Sequence, residues 1–404
     1  MQVLKVYLKR SSIVTKLNAF LKAKAQEHAV RKSQRYYRAR AKQEGIIATE
    51  GTSLDLAVRK RLAERAARLG WPRNKGALHL FLAFGAKNWE VILPKALSPF
   101  GRVSVFEWRS RGFDDTGPDW LTRRTEMNEA MLEAFEEACR IKPVDVVIGY
   151  LSGHNTAPET LSKMVNAGAA VVNFSFDDKP YFPGPMVGGR YASPAAIAHV
   201  VDLNLTSDPE AIVKYAVHGG LAMFHPEAAD PGVHQPYDQS FEYDVSFVGA
   251  RYGWRPWFIG ALQKKGINVE CFGEGWSNGP VELEEMARIY SRSRISLGFA
   301  GIGHSYKLVC LKGRDIEVPM SGGLYLTQHN AELSLIYRVG KEIVTYHDVH
   351  DCEHTIRHLL RDGTRARAIR RAGRERCLRE HTYVARWANV LTLLGALKPD
   401  ASNT

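Results

Sequence analysis

The chain has 404 residues, of which 45% are hydrophobic and 24% are charged, so it is long enough to bury a full core and is predicted to be globular. No stretch reaches the roughly 18 to 20 uninterrupted apolar residues of a membrane helix. Lysines also interrupt the apolar residues of the start, MQVLKVYLKRSSIVTK, too often for a secretory signal peptide. The sequence therefore predicts a protein of the cytoplasm.

Cysteine and histidine usage gives no sign of a metal site. The five cysteines lie far apart, their number is odd and they form no C-x-x-C pair, so neither a disulfide framework nor a zinc site is indicated. Four histidines are spaced like a ligand set, but they fall where a predicted strand ends and a polar helix begins: His347, His350, His354 and His358. This context favours a solvated, slightly basic surface.

The net charge of +12 is concentrated at the start of the chain. Residues 1–45 contain twelve Lys or Arg but only Glu27 and Glu44, so their local balance is +10 and the remainder is nearly neutral. Apolar residues recur here at helical spacing, at Val14, Leu17, Phe20 and Leu21. The segment is predicted to be a basic helix that lies on an anionic membrane surface, binds a polyanionic polymer, or is a solvated extension.

A first series of alternating strands and helices is predicted after this extension. Residues 46–75 are typical of a polar helical connector that ends near Trp71-Pro72. Strands are predicted at residues 77–84, 103–106, 144–150, 169–176 and 202–206. Helices are predicted near residues 89–97, 123–140 and 158–166. Because the strands are apolar throughout, we expect them to be buried on both faces of a parallel, doubly wound sheet.

A second series follows an irregular, proline-rich stretch at residues 218–241 that is typical of a linker. Its strands are predicted at residues 244–248, 268–272, 295–299, 324–327 and 342–345. Its helices are predicted at residues 254–265, 281–291, 314–320, 352–362, 364–380 and 383–394. Open α/β sheets bind ligands at the carboxyl ends of their strands. We therefore expect the active site in the cleft between two such domains.

A first candidate anion site follows the first strand of the second series, in the run SFVGARYGWR. Gly249 allows the backbone to approach an anion, the next helix presents free amide groups, and Arg251 or Arg255 adds positive charge. The functional interpretation is a phosphate site. The alternative is a tight strand-to-helix turn that needs glycine for its shape alone.

A denser cluster lies in the runs GIGHSYK, at residues 301–307, and KGRDIEVPMSGG, at residues 312–323. Arginine or lysine can neutralise a diphosphate leaving group, and a carboxylate can accept hydrogen bonds from both hydroxyls of a ribose. The candidate donor-binding residues are Gly249, Arg251, His304, Tyr306, Lys307, Arg314, Glu317, Gly322 and Gly323. The alternative is a solvated helix start in which Glu317 interacts with the helix dipole.

Several segments resemble one known family. The runs LKGRDIEVPMSGGLYLTQHNAEL, VGKEIVTYHD and RARAIRRAGRERCLREHTY resemble, in this order, the carboxyl-terminal domain of the spore-maturation CgeB-like glycosyltransferases, a branch of the GT-B group. The likeness covers about residues 243–390. The first domain is similar to the family in its strand pattern and in the aspartate-rich strand end NFSFDD at residues 173–178.

The resemblance implies a fold and a division of labour. The fold is α/β, of GT-B type, with two Rossmann-like domains that face each other across a cleft. Residues 76–235 would form the acceptor domain and residues 236–382 the nucleotide-sugar-binding domain. Residues 1–75 would add the basic helical extension and connector, and residues 383–404 a C-terminal helix and tail.

The resemblance also implies roles within the second domain. Glu317 matches the family glutamate expected on the ribose, and Arg314 and Lys307 fall where cations would help to bind phosphate. Gly322 and Gly323 match the small residues that close the helix onto the next strand.

One position departs from related enzymes. Many related retaining enzymes carry another glutamate eight positions before the one matched by Glu317, and here that position is Val309. The residue that contacts the sugar is therefore unidentified, and retention and inversion both stay open. No metal or other cofactor is predicted, because GT-B proteins normally stabilise the departing diphosphate with side chains and helix amides, and Asp177-Asp178 lacks D-x-D spacing.

The candidate catalytic residues lie at strand ends of the first domain, in residues 85–88, 152–155 and 177–178. An inverting mechanism needs a base near the acceptor hydroxyl, and His154, Asp177 or Asp178 could serve, whereas a retaining mechanism needs no such base. The alternative for His154 is a loop residue that caps the next helix. The alternative for the adjacent aspartates is a turn.

The sequence thus predicts transfer of a sugar from a nucleoside diphosphate sugar to an acceptor. Arg314, Lys307 and Arg251 would stabilise the leaving diphosphate, and domain closure would exclude water. The basic helix would suit a lipid-linked or polyanionic acceptor. A second hypothesis, which Val309 favours, is a catalytically silent GT-B relative that binds a nucleotide or a polyanion.

Overall fold

The structure is a computed structural model that describes residues 12–85, 89–237 and 240–399. Residues 86–88 of the predicted strand-end loop, residues 1–11 of the basic extension and residues 400–404 lie outside the described residues. The described chain divides into two compact units. The N-terminal unit contains residues 33–226 and 383–399, and the C-terminal unit contains residues 12–32 and 227–382.

The N-terminal unit is built on a sheet of six parallel strands. These strands are β1 Leu78–Phe84, β2 Gly101–Glu107, β3 Val146–Gly149, β4 Ala170–Ser175, β7 Leu203–Thr206 and β8 Ala222–Phe224. Their order in the sheet is β2-β1-β3-β4-β7-β8. A separate antiparallel pair is formed by β5 Met186–Val187 and β6 Arg190–Tyr191.

Helices cover this sheet. They are the part of α1 Ser12–Glu44 that starts at residue 33, and α2 Gly51–Leu69, α3 Trp89–Leu97, α4 Trp120–Ile141, α5 Pro158–Ala167, α6 Asp178–Tyr181, α7 Ala211–Val217 and α13 Tyr383–Leu393. Short 3-10 turns occur at Ser98–Phe100 and Pro194–Ala196.

The core of the N-terminal unit follows from its apolar strands. Every residue of β1, β3, β4 and β7 is buried, as expected for parallel strands with helices on both faces. Helix α2 also contributes to this core, because Leu54, Val58 and Leu62 recur every four residues and form one buried stripe. The predicted connector is thus in part a core element.

Two further segments differ from what the sequence predicts. Residues 218–241 were predicted as linker, but β8 lies within them and pairs with β7 at the sheet edge. The C-terminal helix α13 was predicted as a helix at the start of a separate tail, yet Trp387, Val390 and Leu391 are buried in the core of the N-terminal unit.

The C-terminal unit contains a second parallel sheet, of five strands. These are β9 Tyr243–Val248, β10 Glu270–Phe272, β11 Ser293–Leu297, β12 Tyr325–Gln328 and β13 Val344–Tyr346, in the order β10-β9-β11-β12-β13. Its helices are α8 Arg255–Lys264, α9 Leu283–Arg292, α10 Arg314–Met320, α11 Val349–Arg361 and α12 Gly363–Glu380, with a 3-10 turn at Ala331–Leu335. Residues 12–32 of α1 belong to this unit, where Ala23, Glu27 and Val30 are buried.

Both sheets reverse their strand order once, and this positions the candidate residues. The reversal falls between β1 and β3 in the N-terminal unit and between β9 and β11 in the C-terminal unit. A crevice opens at such a switch point beyond the carboxyl ends of the strands. The predicted α/β class with two Rossmann-like domains is confirmed.

Two smaller findings concern membranes and cysteines. Within the described residues, no helix is long and apolar enough to cross a membrane. All five cysteines are free thiols, and four of them are buried: Cys271, Cys310, Cys352 and Cys377.

Candidate functional site

The N-terminal unit contains a cavity of 280 Å³ at the carboxyl ends of β3 and β4. These two strands are neighbours in the sheet, so the loops that follow them meet at one edge. The structure brings all three candidate catalytic residues to the walls of this cavity: His154, Asp177 and Asp178. Their environments differ, and the difference separates their chemical roles.

His154 is held by its ring and by its backbone. Its Nε2 lies 2.7 Å from the carbonyl oxygen of Asp115, and the indole of Trp120 donates a 2.9 Å hydrogen bond to the His154 carbonyl. Because a carbonyl can only accept, His154 must carry its proton on Nε2. In the neutral ring Nδ1 is then a free lone pair that can accept a proton.

Asp177 is the exposed carboxylate of the cavity. The Tyr150 hydroxyl donates a 3.1 Å hydrogen bond to Asp177 Oδ2. Burial raises the pKa of Tyr150, and the adjacent Asp177 raises it further, so this phenol stays a donor. The arrangement orients a carboxylate that remains accessible from the cavity.

Asp178, by contrast, is 2% exposed and lies inside a hydroxyl network. Its Oδ1 accepts from Ser175 at 2.8 Å, and its Oδ2 accepts from Thr206 at 2.6 Å and from Tyr215 at 3.0 Å. Burial raises the pKa of Asp178 to about 6, although these hydrogen bonds oppose the shift. Both carboxylate oxygens are occupied, which suits a residue that fixes the turn carrying Asp177.

Two buried lysines, Lys179 and Lys214, lie beside the turn that carries Asp177 and Asp178. Lys214 is fully buried, donates a 3.4 Å hydrogen bond to the Asp178 carbonyl and lies 3.7 Å from Asp208. Lys179 lies 3.7 Å from the other oxygen of Asp208. The buried carboxylates and lysines thus balance each other beneath the cavity wall.

In the C-terminal unit, two arginines converge beside the β9 strand end. A Cβ atom placed on Gly249 would lie 3.1 Å from Nη1 of Arg314 and 3.0 Å from the Phe247 ring, so the glycine permits the close approach. The guanidinium carbons of Arg314 and Arg255 each lie 5.5 Å from the centre of the Phe247 ring. Two sequence motifs that are distant along the chain therefore form one cationic cluster.

Within the described part of the chain, no carboxylate forms an ion pair with either arginine of this cluster. Arg255 is 4% exposed and donates to the Ala250 carbonyl at 2.9 Å and to the Tyr252 hydroxyl at 3.0 Å. Burial lowers the pKa of Arg255 to about 10, and the positive charge of Arg314 adds to the shift. The Nε atom of Arg314 is buried without a hydrogen-bond partner. Such a pair of cations is suited to an anion.

Carboxylates stabilise the charge of Arg314 from its own helix. Burial would lower the pKa of Arg314, but surrounding phenols and the carboxylates of Glu317 and Asp315 raise it overall. Asp315 itself is buried: its oxygens accept from the Tyr325 hydroxyl and from the Lys312 amide, each at 2.7 Å, and burial raises its pKa to about 6. The alternative of a solvated helix start is therefore wrong at Asp315.

Glu317 reaches back to the start of α10. A Cβ atom on Gly313 would lie 2.9 Å from Oε1 of Glu317 and 2.7 Å from Oε2 of Glu227. Both carboxylates therefore lie against the Gly313 backbone. Glu317 is partly exposed and is positioned one helical turn from Arg314.

The glycine-rich loop of residues 301–307 is fixed by the N-terminal helix. Ser305 Oγ donates to Glu27 Oε1 at 2.7 Å and accepts from the amides of Lys307 at 3.1 Å and Leu308 at 2.9 Å. A Cβ atom on Gly303 would lie 2.6 Å from Oε1 of Gln26. This contact between α1 and the loop is absent from the sequence-based prediction, because no local pattern links residues so far apart.

Three further donor candidates lie within this loop, and Arg251 follows another strand. His304 and Lys307 are exposed. The Tyr306 hydroxyl donates to the His347 carbonyl, and its ring lies 4.6 Å from that of Trp254. Arg251 is exposed, with its guanidinium 5.4 Å from the Trp276 ring. Arg255 therefore belongs to the cationic cluster with Arg314, whereas Arg251 lies beside Trp276.

The two glycines after α10 permit tight packing. Gly322 has a positive φ of 74°, and a Cβ atom on Gly323 would lie 2.8 Å from Cγ1 of Val318.

Val309 lies opposite Gly301 in an antiparallel bridge. Among the described residues, no group of three or more His, Cys, Asp or Glu is arranged to hold a metal ion.

Comparisons with known proteins place this geometry in a class. Residues 255–392 match the family model described as glycosyl transferase-like. Similar solved structures show that the chain has the GT-B fold of glycosyltransferases, which consists of two Rossmann-like domains. No protein of curated function matches the sequence.

Three of these similar structures are the following. Sucrose-phosphate synthase from Thermosynechococcus elongatus superimposes with a TM-score of 0.56 at 14% identity and covers 78% of this chain and 98% of its own. HepE from Anabaena, in complex with UDP, has a TM-score of 0.52 at 11% identity and covers 78% and 99%. An alpha-glucosyltransferase in complex with UDP and a 13-mer DNA containing an HMU base has a TM-score of 0.51 at 10% identity and covers 79% and 100%. The CgeB-like resemblance is finer than these matches and stays a prediction.

Proposed function

We propose that the protein transfers a sugar from a nucleoside diphosphate sugar to an acceptor hydroxyl. The observation that carries the proposal is the pair of arginines, Arg255 and Arg314, that converges at the switch point of the C-terminal sheet without a carboxylate ion-pair partner among the described residues. Two of the similar structures contain UDP, which supports a nucleotide ligand of this type.

On the donor side, the arginine pair would bind the diphosphate. As the bond between the anomeric carbon and the diphosphate oxygen breaks, that oxygen takes the electron pair, and fixed cations stabilise the developing charge. Glu317, one turn further along α10, would accept hydrogen bonds from the ribose hydroxyls. Lys307 would add charge from the neighbouring loop.

The donor site would work without a bound metal ion, because two guanidiniums already supply the charge that the diphosphate needs. Treatment with EDTA should then leave the affinity for a nucleoside diphosphate unchanged. A loss of affinity that added Mg²⁺ or Mn²⁺ restores would contradict this part of the proposal.

On the acceptor side, the base would be Asp177 or His154. The acceptor oxygen forms a bond to the anomeric carbon, and its proton passes to the Asp177 carboxylate or to His154 Nδ1. Asp178 would position this turn, since three hydroxyls occupy its oxygens. A base in this cavity favours an inverting reaction.

We also propose an anionic membrane surface as a partner of α1. Leu17, Phe20 and Leu21 are 55%, 57% and 54% exposed, and at helical spacing they lie within about 100° of one another around the helix. Lys24, Arg31 and Lys32 are exposed further along the helix. An apolar patch beside several cations is the pattern of a helix that lies in the headgroup region.

A catalytically silent binding module is the second candidate, favoured by Val309 at the position of the missing glutamate. Such a module would bind a donor without breaking its glycosidic bond. Sugar release therefore separates the two functions, whereas binding does not.

A thermal-shift screen against a panel of nucleotide sugars tests the donor site. We expect one donor to stabilise the wild type, and Arg314→Ala and Glu317→Ala to lose this response. Arg371→Ala is the matched control, because Arg371 is an exposed helical arginine of the same unit. No response from a folded wild type, or an equal response from all variants, would contradict the proposed site.

A further inference from the structure

We infer that the acceptor group that enters the N-terminal cavity is a single uncharged ring that carries a hydroxyl group. The inference rests on the proposed function, which places the acceptor at Asp177 and His154. It goes further by assigning the chemical class of the acceptor, and it disfavours the polyanionic acceptor that the basic helix suggested.

The size of the cavity sets the first limit. Its volume of 280 Å³ lies just below the roughly 300 to 1,000 Å³ of pockets that enclose drug-sized ligands. The space suits one ring and its substituents. A chain of several sugars would have to leave its other units outside.

The walls set the second limit. The cavity surface is mainly apolar, and its lining includes the rings of Tyr150, Phe174, Tyr181, Pro185 and Pro194. Flat apolar walls contact the ring face of a ligand, and a few polar groups then fix its orientation. The polar groups of the lining include His154 and Asp177, the two candidate bases.

Charge sets the third limit. Among the described residues, the ionisable ones that line the cavity are two tyrosines, Asp177, Asp178 and His154, with no lysine or arginine. An anion that enters would meet a carboxylate in a partly desolvated space, where repulsion is strong. A neutral hydroxyl would instead donate to Asp177.

The backbone amides of the loop after β3 do not supply positive charge to the cavity. In the loop after β3, the Ser152 amide donates to Asn155 Oδ1 at 2.9 Å, the Gly153 amide to the Ser193 carbonyl at 3.0 Å, and the His154 amide to the Ala192 carbonyl at 3.1 Å. These donors are used within the protein. The loop therefore lacks the free amides of an anion-binding nest.

Three described cations of this unit make their contacts outside the cavity. Lys214 is buried beneath Asp178 and lies 3.7 Å from Asp208. Arg190 and Arg124 donate to the Gly153 carbonyl at 2.7 Å and 3.3 Å and line a different pocket. None of the three lines the cavity, so none is placed to neutralise an entering anion.

The test measures binding directly, without any donor nucleotide. Ligand-observed NMR would compare methyl glucopyranoside with methyl glucuronide, glucose 6-phosphate and the aromatic alcohol 4-methylphenol, on the wild type and on Asp177→Asn. We expect a neutral ring to bind at least about tenfold more tightly than either anion, and Asp177→Asn to narrow this difference. The glucoside and phenol arms show which kind of ring is preferred.

A cavity-filling variant, Ala192→Phe, provides the control for location, since Ala192 lines the cavity. It should abolish binding of the neutral ring while leaving the thermal response to nucleotide unchanged. Equal or tighter binding of the anions, no binding of any neutral ring, or unchanged binding in Ala192→Phe would overturn the inference. Donor binding and sugar release could still persist in that case, so failure of the acceptor class and failure of the proposed function are distinguishable.

Discussion

Arg314 is the residue on which the donor site depends most. Its guanidinium approaches Gly249, and its Nε atom is buried with no hydrogen-bond partner among the described residues. We expect Arg314→Ala to reduce turnover by about 10²–10³-fold, the range for removing one donor to a developing anion. The turnover of Arg314→Lys should lie between that of the wild type and that of Arg314→Ala, because lysine keeps the charge but loses the planar guanidinium.

Steady-state kinetics with the donor found in the screen would measure this effect. Arg371→Ala, the exposed control, should match the wild type. Turnover of a folded Arg314→Ala equal to that of the wild type would rule out the assigned role.

Two buried carboxylates make stability depend on pH. Burial raises the pKa of Asp178 and of Asp315 from 3.8 to about 6. Between pH 3.8 and about 6, these two carboxyl groups are therefore protonated in the native state but ionised in the unfolded chain. The stabilising contribution is complete below pH 3.8 and is lost as the pH rises through about 6.

Asp178→Asn should remove one of these contributions, about 3 kcal/mol across that interval. The difference in Tm between Asp178→Asn and the wild type should thus shift in favour of the variant as the pH rises from 4 to 7. Thermal melts in a pH series measure it. A difference that stays constant, or that shifts in favour of the wild type, would show that Asp178 is ionised throughout.

At the scale of elements, α1 supports the glycine-rich loop. Ser305 connects the Glu27 carboxylate to the amides of Lys307 and Leu308. We expect Glu27→Ala to raise the donor KM severalfold with little change in kcat, because Glu27 positions the loop and does not itself touch the donor. Glu27→Gln should restore part of the affinity.

Glu44→Ala is the matched control, since Glu44 is an exposed glutamate of the same helix, paired with Arg40 at 2.7 Å. Donor kinetics of the three variants measure the effect. An unchanged KM in Glu27→Ala, or the same change in Glu44→Ala, would contradict a positioning role.

The outer face of α1 should bind anionic membranes. Replacing Leu17, Phe20 and Leu21 together by serine should reduce binding to phosphatidylserine vesicles by at least about tenfold, because each exposed apolar side chain adds buried area in the headgroup region. Vesicle co-sedimentation measures it, with phosphatidylcholine vesicles as the control. Equal binding to both vesicle types, or wild-type binding by the triple variant, would contradict the proposal.

Sequence patterns predicted the apolar strands and α10 well, but they did not predict the edge strand β8. Strands such as β1 and β4 are continuous apolar runs, and α10 was predicted with the bounds that the structure shows. The three-residue strand β8 has no periodicity of its own and follows Gly219 and Gly220. Its pairing with β7 decides its conformation, and no local pattern reports such pairing.

The candidate site shows the same division. His154 and Asp177 could be found because polar residues after buried parallel strands meet at one sheet edge. Arg255 and Glu27 could not be ranked in this way, since their roles depend on contacts with Arg314 and Ser305 that join distant segments. The hydrogen bonds that occupy both carboxylate oxygens of Asp178 likewise could not be predicted from the sequence.

At the scale of the whole molecule, the assignment of segments to units was the least predictable feature. Residues 12–32 belong with residues 227–382, and residues 383–399 belong with residues 33–226. Trp387 lies 6.0 Å from Phe174, ring centre to ring centre, although more than 200 residues separate them in sequence. Composition indicates that α13 is a helix, but only packing decides which core it joins.

The proposed function requires that this GT-B chain break the glycosidic bond of a nucleotide sugar at the paired arginines. The most direct test is the time course of nucleoside diphosphate release from a panel of nucleotide sugars, for the wild type and for the double variant Arg255→Ala/Arg314→Ala. We predict release from one donor by the wild type and none above background by the double variant. Donor binding without release by the wild type, or equal release by both proteins, would contradict the account.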